Sequence, residues 1–306
     1  MSTSTAERGV EAYLAAARSR VDAVLERWGD RAGQLFDAPV AAAVRYALLS
    51  AGKRLRPTLV FAAYEALGGA NGAIAELAAA VEVVHAYSLV HDDLPCMDND
   101  DLRRGRPTVH RAFNVPTATR AGFQMVGLAA RALAEGCESL GLESDRRRAI
   151  AQELFRAAGA GGMIGGQVLD LEGEGGRLPV AALYDVHRRK TGALIAAACV
   201  IGGLAAGAAA PPAHVAALRA YGEEIGLAFQ IADDVLDATG TSAQLGKTAG
   251  RDAALAKSTF VTLLGVGAAR AEAERRAAQA VDHLRQAGLA SPVLVALAHY
   301  IVTRPN

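Results

Sequence analysis

Two aspartate triplets, each closing a long apolar run, limit how this chain can fold. They are Asp92-Asp93-Leu94-Pro95-Cys96-Met97-Asp98 and Asp233-Asp234-Val235-Leu236-Asp237, about 140 positions apart. Carboxylates are expensive to withdraw from water unless cations or metal ions meet them. The runs that lead into them, 81–90 and 225–232, are apolar enough to be core helices. A merely solvated acidic face therefore fits poorly, and a fold that brings both helix ends to one cleft fits well. Hard oxygen ligands of this kind suit Mg2+, which takes one or two carboxylates per ion and completes its shell with water and phosphate oxygens. The pattern predicts a chain that holds a diphosphate between two acidic walls.

The remaining sequence is helical in character. The hydrophobic fraction is 52%, much of it alanine, with only 5% aromatic residues. Alanine and leucine favour helix, and the alternating β-branched pattern of strands is nearly absent, so the fold class is all-α. No linker or charge block divides the 306 residues, which predicts one domain over 1–306 with residues 1–9 disordered. Helices are expected over 10–28, 40–51, 57–67, 74–90, 117–140, 146–160, 180–209, 212–238, 257–265, 268–287 and 292–302. The segments 98–107, 161–176 and 240–252 read as loops, the middle one glycine-rich and holding Gln167, Asp170 and Glu172.

A formal net charge of zero leaves no basic footprint for nucleic acid. Cys96, Cys137 and Cys199 are few, odd in number and unpatterned, as expected in a reducing cytoplasm without structural disulfides. The polar first eight residues hold no apolar signal-peptide core. The stretch 193–210 is uncharged and near membrane-spanning length. Its alanines and glycines supply little insertion energy, so it reads as a packed helix closed by Pro211-Pro212, and the protein as not membrane-embedded.

In the second triplet Asp233 and Asp237 are four apart and Asp234 and Asp237 three apart, so they share a helix face, with Gln230 on it. In the first, Pro95 disfavours helix at the preceding residue, so the helix ends near Asp93 and the chain can loop back to bring Asp98 towards Asp92. His85, Ser88 and Asp92 form one stripe; on periodicity alone His85 reads first as a satisfied core histidine. Phosphate calls for forked arginines and point-charge lysines. Candidates are Gly52-Lys53-Arg54-Leu55-Arg56-Pro57, Arg103-Arg104, Lys190-Thr191-Gly192, and Lys247 and Lys257 after the second triplet.

These motifs, together with His85-Ala86-Tyr87-Ser88-Leu89-Val90-His91, Asp100-Asp101-Leu102, Gly165-Gly166-Gln167-Val168-Leu169-Asp170 and Leu245-Gly246-Lys247, resemble the trans-isoprenyl diphosphate synthases (polyprenyl synthetases), most closely their bacterial farnesyl diphosphate members. The resemblance runs in order and spacing from about residue 40 to the C-terminus. It implies the isoprenoid synthase fold, a large antiparallel helical bundle around a central cavity, and a homodimer. It implies that Asp92, Asp93, Asp98, Asp233, Asp234 and Asp237 bind three Mg2+ ions across an allylic diphosphate held by Arg103, Lys190, Gln230, Lys247 and Lys257. Lys53, Arg56, His85 and Arg104 would hold isopentenyl diphosphate, and Thr191 would sit near the developing carbocation. Segment 240–257 would act as a lid that excludes water. Tyr87, about 7.5 Å before Asp92 along the helix axis, would be the aromatic floor that stops growth at farnesyl diphosphate, with the small Ser88 beside it.

The chain departs from the family pattern in places. Asn114-Val115 follow Phe113 where the family has Gly-Glu, and Phe123 stands where the family has aspartate; Asn99 and Val261 are further changes. Phe123 would shorten the pocket or pack between helices. Alternatives are a geranyl or geranylgeranyl diphosphate synthase, or a non-catalytic subunit of a hetero-oligomeric synthase. A terpene cyclase is disfavoured, because its second metal site mixes Asn, Ser and Glu.

Overall fold

The structure, a computed structural model, describes residues 3–176, 178–207, 210–240 and 258–304. Beyond Gly240 the expected lid, with Lys247 and Lys257, lies outside the described residues. The element order is α1 (Thr3–Leu35), α2 (Ala38–Leu48), α3 (Leu55–Ala66), α4 (Ile74–Asp92), β1 (Leu102–Arg103), β2 (Arg106–Pro107), α5 (Val109–Ala112), α6 (Val115–Ser139), α7 (Ser144–Ala158) and α8 (Met163–Glu172). It continues with α9 (Val180–His187), a π-helical turn (Arg188–Gly192), α10 (Ala193–Ala205), α11 (Pro212–Thr239), α12 (Phe260–Leu264), α13 (Val266–Gln286) and α14 (Pro292–Thr303). The class is all-α.

Four details depart from the sequence reading. Helix α1 begins at Thr3, inside the stretch taken as disordered. The glycine-rich segment forms α8. The helix expected over 180–209 is broken by the π turn. Loop 98–107 carries a two-strand hairpin pairing Leu102 with Pro107 and Arg103 with Arg106. Its turn puts Arg104 (φ 54°) and Gly105 (φ 74°) in the left-handed region, the geometry that matches the twist of paired strands.

Helix α4 is apolar on every side because it runs through the middle, against α6, α3 and α1. Among the described residues it is the helix long and apolar enough to cross a membrane, yet it is mostly buried by its neighbours. The uncharged stretch after Thr191 gives only the 13-residue α10, buried against α3, α11 and α7. One continuous core extends from Val10 on α1 to Ile301 on α14. A smaller one gathers Leu183, Ile231, Val235 and Phe260 beneath the second acidic triplet.

Small residues let these helices approach closely. A Cβ on Gly222 of α11 would lie 2.6 Å from the Ala196 Cα of α10, whereas one on Gly127 of α6 would meet nothing within 4 Å. Gly222→Ala is therefore expected to destabilise by about 1–3 kcal/mol through overpacking, and Gly127→Ala to stabilise by about 0.5–1 kcal/mol through helix propensity. Urea midpoints of opposite sign are the check; equal shifts would mean that the α10–α11 contact relaxes freely.

Candidate active site

The first wall forms as Pro95 dictates. Helix α4 stops at Asp92, and the chain turns back so that the Asp98 amide donates to the Asp92 carbonyl (2.8 Å) and the Asp100 amide to the Asp93 carbonyl (3.2 Å). Asp93 is buried and accepts from Arg103 Nε at 2.7 Å. Arg103 also reaches Asp100 at 3.3 Å. Asp92 is half-buried, and burial pushes its carboxyl up to about 6; Lys190 pulls against that rise and Asp98 adds to it.

The second wall is the last turns of α11. Gln230 shares the acidic face as expected, its Nε2 donating to Asp234 Oδ1 at 3.2 Å. Asp234 Oδ2 accepts the Phe260 amide at 2.8 Å. Asp233 pairs with Arg304, whose guanidinium lies 4.3 Å above the Phe229 ring. Burial raises the Asp233 carboxyl, and Arg304 and Lys53 oppose that rise.

The π turn joins the two walls. Its Lys190 donates to Asp170 of α8 at 2.6 Å and acts on Asp92. The next residue, Thr191, donates to Gln230 Oε1 at 3.1 Å. One widened turn thus presents consecutive side chains to opposite walls, in keeping with the frequent occurrence of π turns at functional sites. Two glycines lock it in place. A Cβ on Gly226 of α11 would stand 2.5 Å from the Gly192 Cα, and one on Gly166 of α8 would overlap the Lys190 backbone.

A basic lobe closes the other flank. Lys53, Arg56, Arg104 and His85 gather there, and Lys53 feels both Asp233 and Asp237. Burial lowers the Arg56 guanidinium to about 10. His85 is held well below its ordinary value by burial and then by Arg56, Arg104, Arg103 and Arg54. It therefore sits among the arginines of this lobe, which favour its uncharged form. Gly52 leaves room for the Arg104 guanidinium: a Cβ there would come 2.5 Å from Arg104 Nη1 and push that flexible side chain aside. Arg54, in the left-handed region at φ 49°, is buried and bonds Glu82 (2.8 Å), Asp22 (2.8 Å) and the Leu48 and Ser50 carbonyls.

Among the proposed chain-length residues, Tyr87 is buried and Ser88 donates to the His85 carbonyl at 2.9 Å. Phe123 is a correction. Ala118, Ala121, Gly122 and Met125 form the buried face of α6, which leaves Phe123 on the outside, 67% exposed. Within the chain it does not pack between helices; its ring meets the His91 ring edge to face.

Sequence reasoning missed Asp170, Glu82 and Arg304 as partners of the site. Glu82 carried a signal, since a carboxylate within an apolar run needs a cation. Arg304 carried none.

The donor set fits magnesium. Its oxygens are hard, and burial raises the Asp92, Asp93 and Asp233 carboxyls even with Arg103 and Arg304 beside two of them, so a further cation would relieve them. Among the described residues no three His, Cys, Asp or Glu side chains converge enough to hold a metal ion by themselves, so an ion here would need water and phosphate oxygens to complete its shell.

Residues 37–289 match the polyprenyl synthetase family. Over 270 residues the chain is 46% identical to the farnesyl diphosphate synthase of Escherichia coli K12, covering 87% of this chain and 89% of that one. The apo crystal structure of an FPP/GFPP synthase from Zymomonas mobilis matches with a TM-score of 0.82 at 33% identity, over 97% of this chain and 100% of that one. The geranyltransferase from Helicobacter pylori, solved with magnesium and isoprenyl diphosphate, matches at 0.78 and 31% identity, over 95% and 96% of the two chains.

Proposed function

This chain belongs to the polyprenyl synthetase family, and on that premise we propose that it is a Mg2+-dependent prenyltransferase that condenses isopentenyl diphosphate with dimethylallyl and then geranyl diphosphate to give farnesyl diphosphate. The observation that carries the reading is the π turn, where Lys190 acts on the first acidic wall while Thr191 is bonded through Gln230 to the second. Homodimeric assembly and a cytoplasmic location complete the proposal.

Asp92, Asp93, Asp98, Asp233, Asp234 and Asp237 would hold three Mg2+ ions over the allylic diphosphate. When bound, these ions neutralise the charge that grows on the leaving diphosphate. Lys190, Arg103 and Gln230 grip the same group as preorganised donors, which matters most in a cleft closed to water. Lys247 and Lys257 would join them. Lys53, Arg56, His85 and Arg104 hold the isopentenyl diphosphate. Arg56, near 10, stays charged at neutral pH, and burial and the neighbouring arginines disfavour charge on His85. The Thr191 hydroxyl would sit near the developing allylic cation. The proton released on coupling leaves with the diphosphate, so no protein base is assigned.

Incubation with isopentenyl and dimethylallyl diphosphates and Mg2+, followed by product sizing, tests the reading. A C15 product is expected. A C10 or C20 product would replace it with the geranyl or geranylgeranyl alternative, and no product with the non-catalytic subunit. Tyr87→Ala should move the main product from C15 to C20 by removing the aromatic floor. Unchanged length in mass spectrometry would remove Tyr87 from that role.

A further inference from the structure

We infer that His91, capped by Phe123, is a positioning residue that fixes the Tyr87 ring and thereby the product length; the inference rests on the prenyltransferase reading above. His91 lies four residues after Tyr87 on α4, and the two rings meet edge to face at 6.0 Å and 73°. The imidazole enters the α4–α6 seam, where its Nε2 lies 3.1 Å from the Thr119 carbonyl. A Cβ on residue 122 would overlap the imidazole, so the ring occupies space that only glycine leaves open. Phe123 then covers it from outside at 5.1 Å and 72°.

The imidazole is thus held by a carbonyl, a bare stretch of helix and a phenyl edge, and it presents its remaining edge to Tyr87. Among the described residues nothing hydrogen-bonds the Tyr87 hydroxyl, so ring contacts orient this side chain. Edge-to-face packing is directional, and a ring that loses its neighbour gains freedom to turn. An exposed phenylalanine on the far side of α6 therefore acts on a buried pocket floor through one imidazole. Phe123 sets specificity here without lining the cavity.

The test compares C20:C15 ratios for the full-length enzyme and for Phe123→Ala, Phe123→Tyr, Gly122→Ala and Tyr87→Ala. Phe123 is exposed in the single chain, and only variants that keep the parent's oligomeric state in analytical ultracentrifugation are compared. Phe123→Ala should raise the ratio by roughly fivefold, and Phe123→Tyr should keep the parent ratio. Gly122→Ala displaces the imidazole and should give the same rise, with the double variant no worse than either single. KM for isopentenyl diphosphate and the Mg2+ dependence should stay unchanged. A parent ratio in Phe123→Ala, or equal rises in Phe123→Ala and Phe123→Tyr, overturns the inference. If Tyr87→Ala lengthens the product in the same experiment, the prenyltransferase reading survives that failure. A parent enzyme that makes no prenyl diphosphate overturns both.

Discussion

Asp92→Asn is expected to lower prenyl transfer by about 10³-fold and, in metal-free buffer at neutral pH, to raise the melting temperature. Both effects come from one carboxylate. Burial raises the Asp92 carboxyl from 3.8 to about 6. An acid with a raised folded pKa stabilises the protein below its unfolded value and loses that contribution as pH rises through the folded value. Between pH 3.8 and about 6 the metal-free protein should therefore lose on the order of 3 kcal/mol through this group. Asparagine keeps the shape and removes the charge, so the variant should not show that loss. Saturating Mg2+ should reverse the order, because the parent binds the ion and gains stability by mass action. Scanning calorimetry with chelator and with Mg2+, at pH 3.5 and 7.5, separates these cases. Full activity in Asp92→Asn, or lower stability without metal, would make Asp92 a structural residue.

The site was legible where a physical conflict was written into the sequence. Carboxylates at the ends of apolar runs located both walls, and Pro95 gave the return of Asp98 to Asp92. The same logic applied to Glu82 would have found Arg54. The stripe Ala118, Ala121, Gly122 and Met125 was enough to place Phe123 on the outer side of α6, had it been used. Other features leave no local mark. The helical pattern runs unbroken through 188–192, and the π turn depends on how closely Gly166 and Gly226 let two other helices approach it. Helix α8 hides behind glycines that disfavour helix in isolation and are overridden by packing against that turn. Arg304 reaches Asp233 only because α14 packs along α11.

Glu82→Ala is expected to destabilise the protein by about 3–5 kcal/mol, the range for removing one partner of a buried ion pair. Glu82 is 3% exposed and Arg54 6%. Arg54 ties α1, the end of α2 and α4 together from one guanidinium, and its charge is maintained against burial first by Glu82 and then by Asp22. Without Glu82 that charge remains inside with a missing acceptor. Arg54 also lies between Lys53 and Arg56, so the backbone it anchors aims both cations. Any folded Glu82→Ala enzyme should show a raised KM for isopentenyl diphosphate, with the allylic KM little changed. The paired change Arg54→Met with Glu82→Leu separates the two effects. It removes both charges of the pair and should recover part of the stability, short of the whole because Glu82 also supports the buried Arg56 and Arg104 charges; it lacks the carbonyl contacts that hold the loop, so the KM defect should persist. Urea unfolding and steady-state kinetics on the three proteins decide the matter. Recovery of both stability and KM in the paired variant would show that Arg54 fills space and positions nothing.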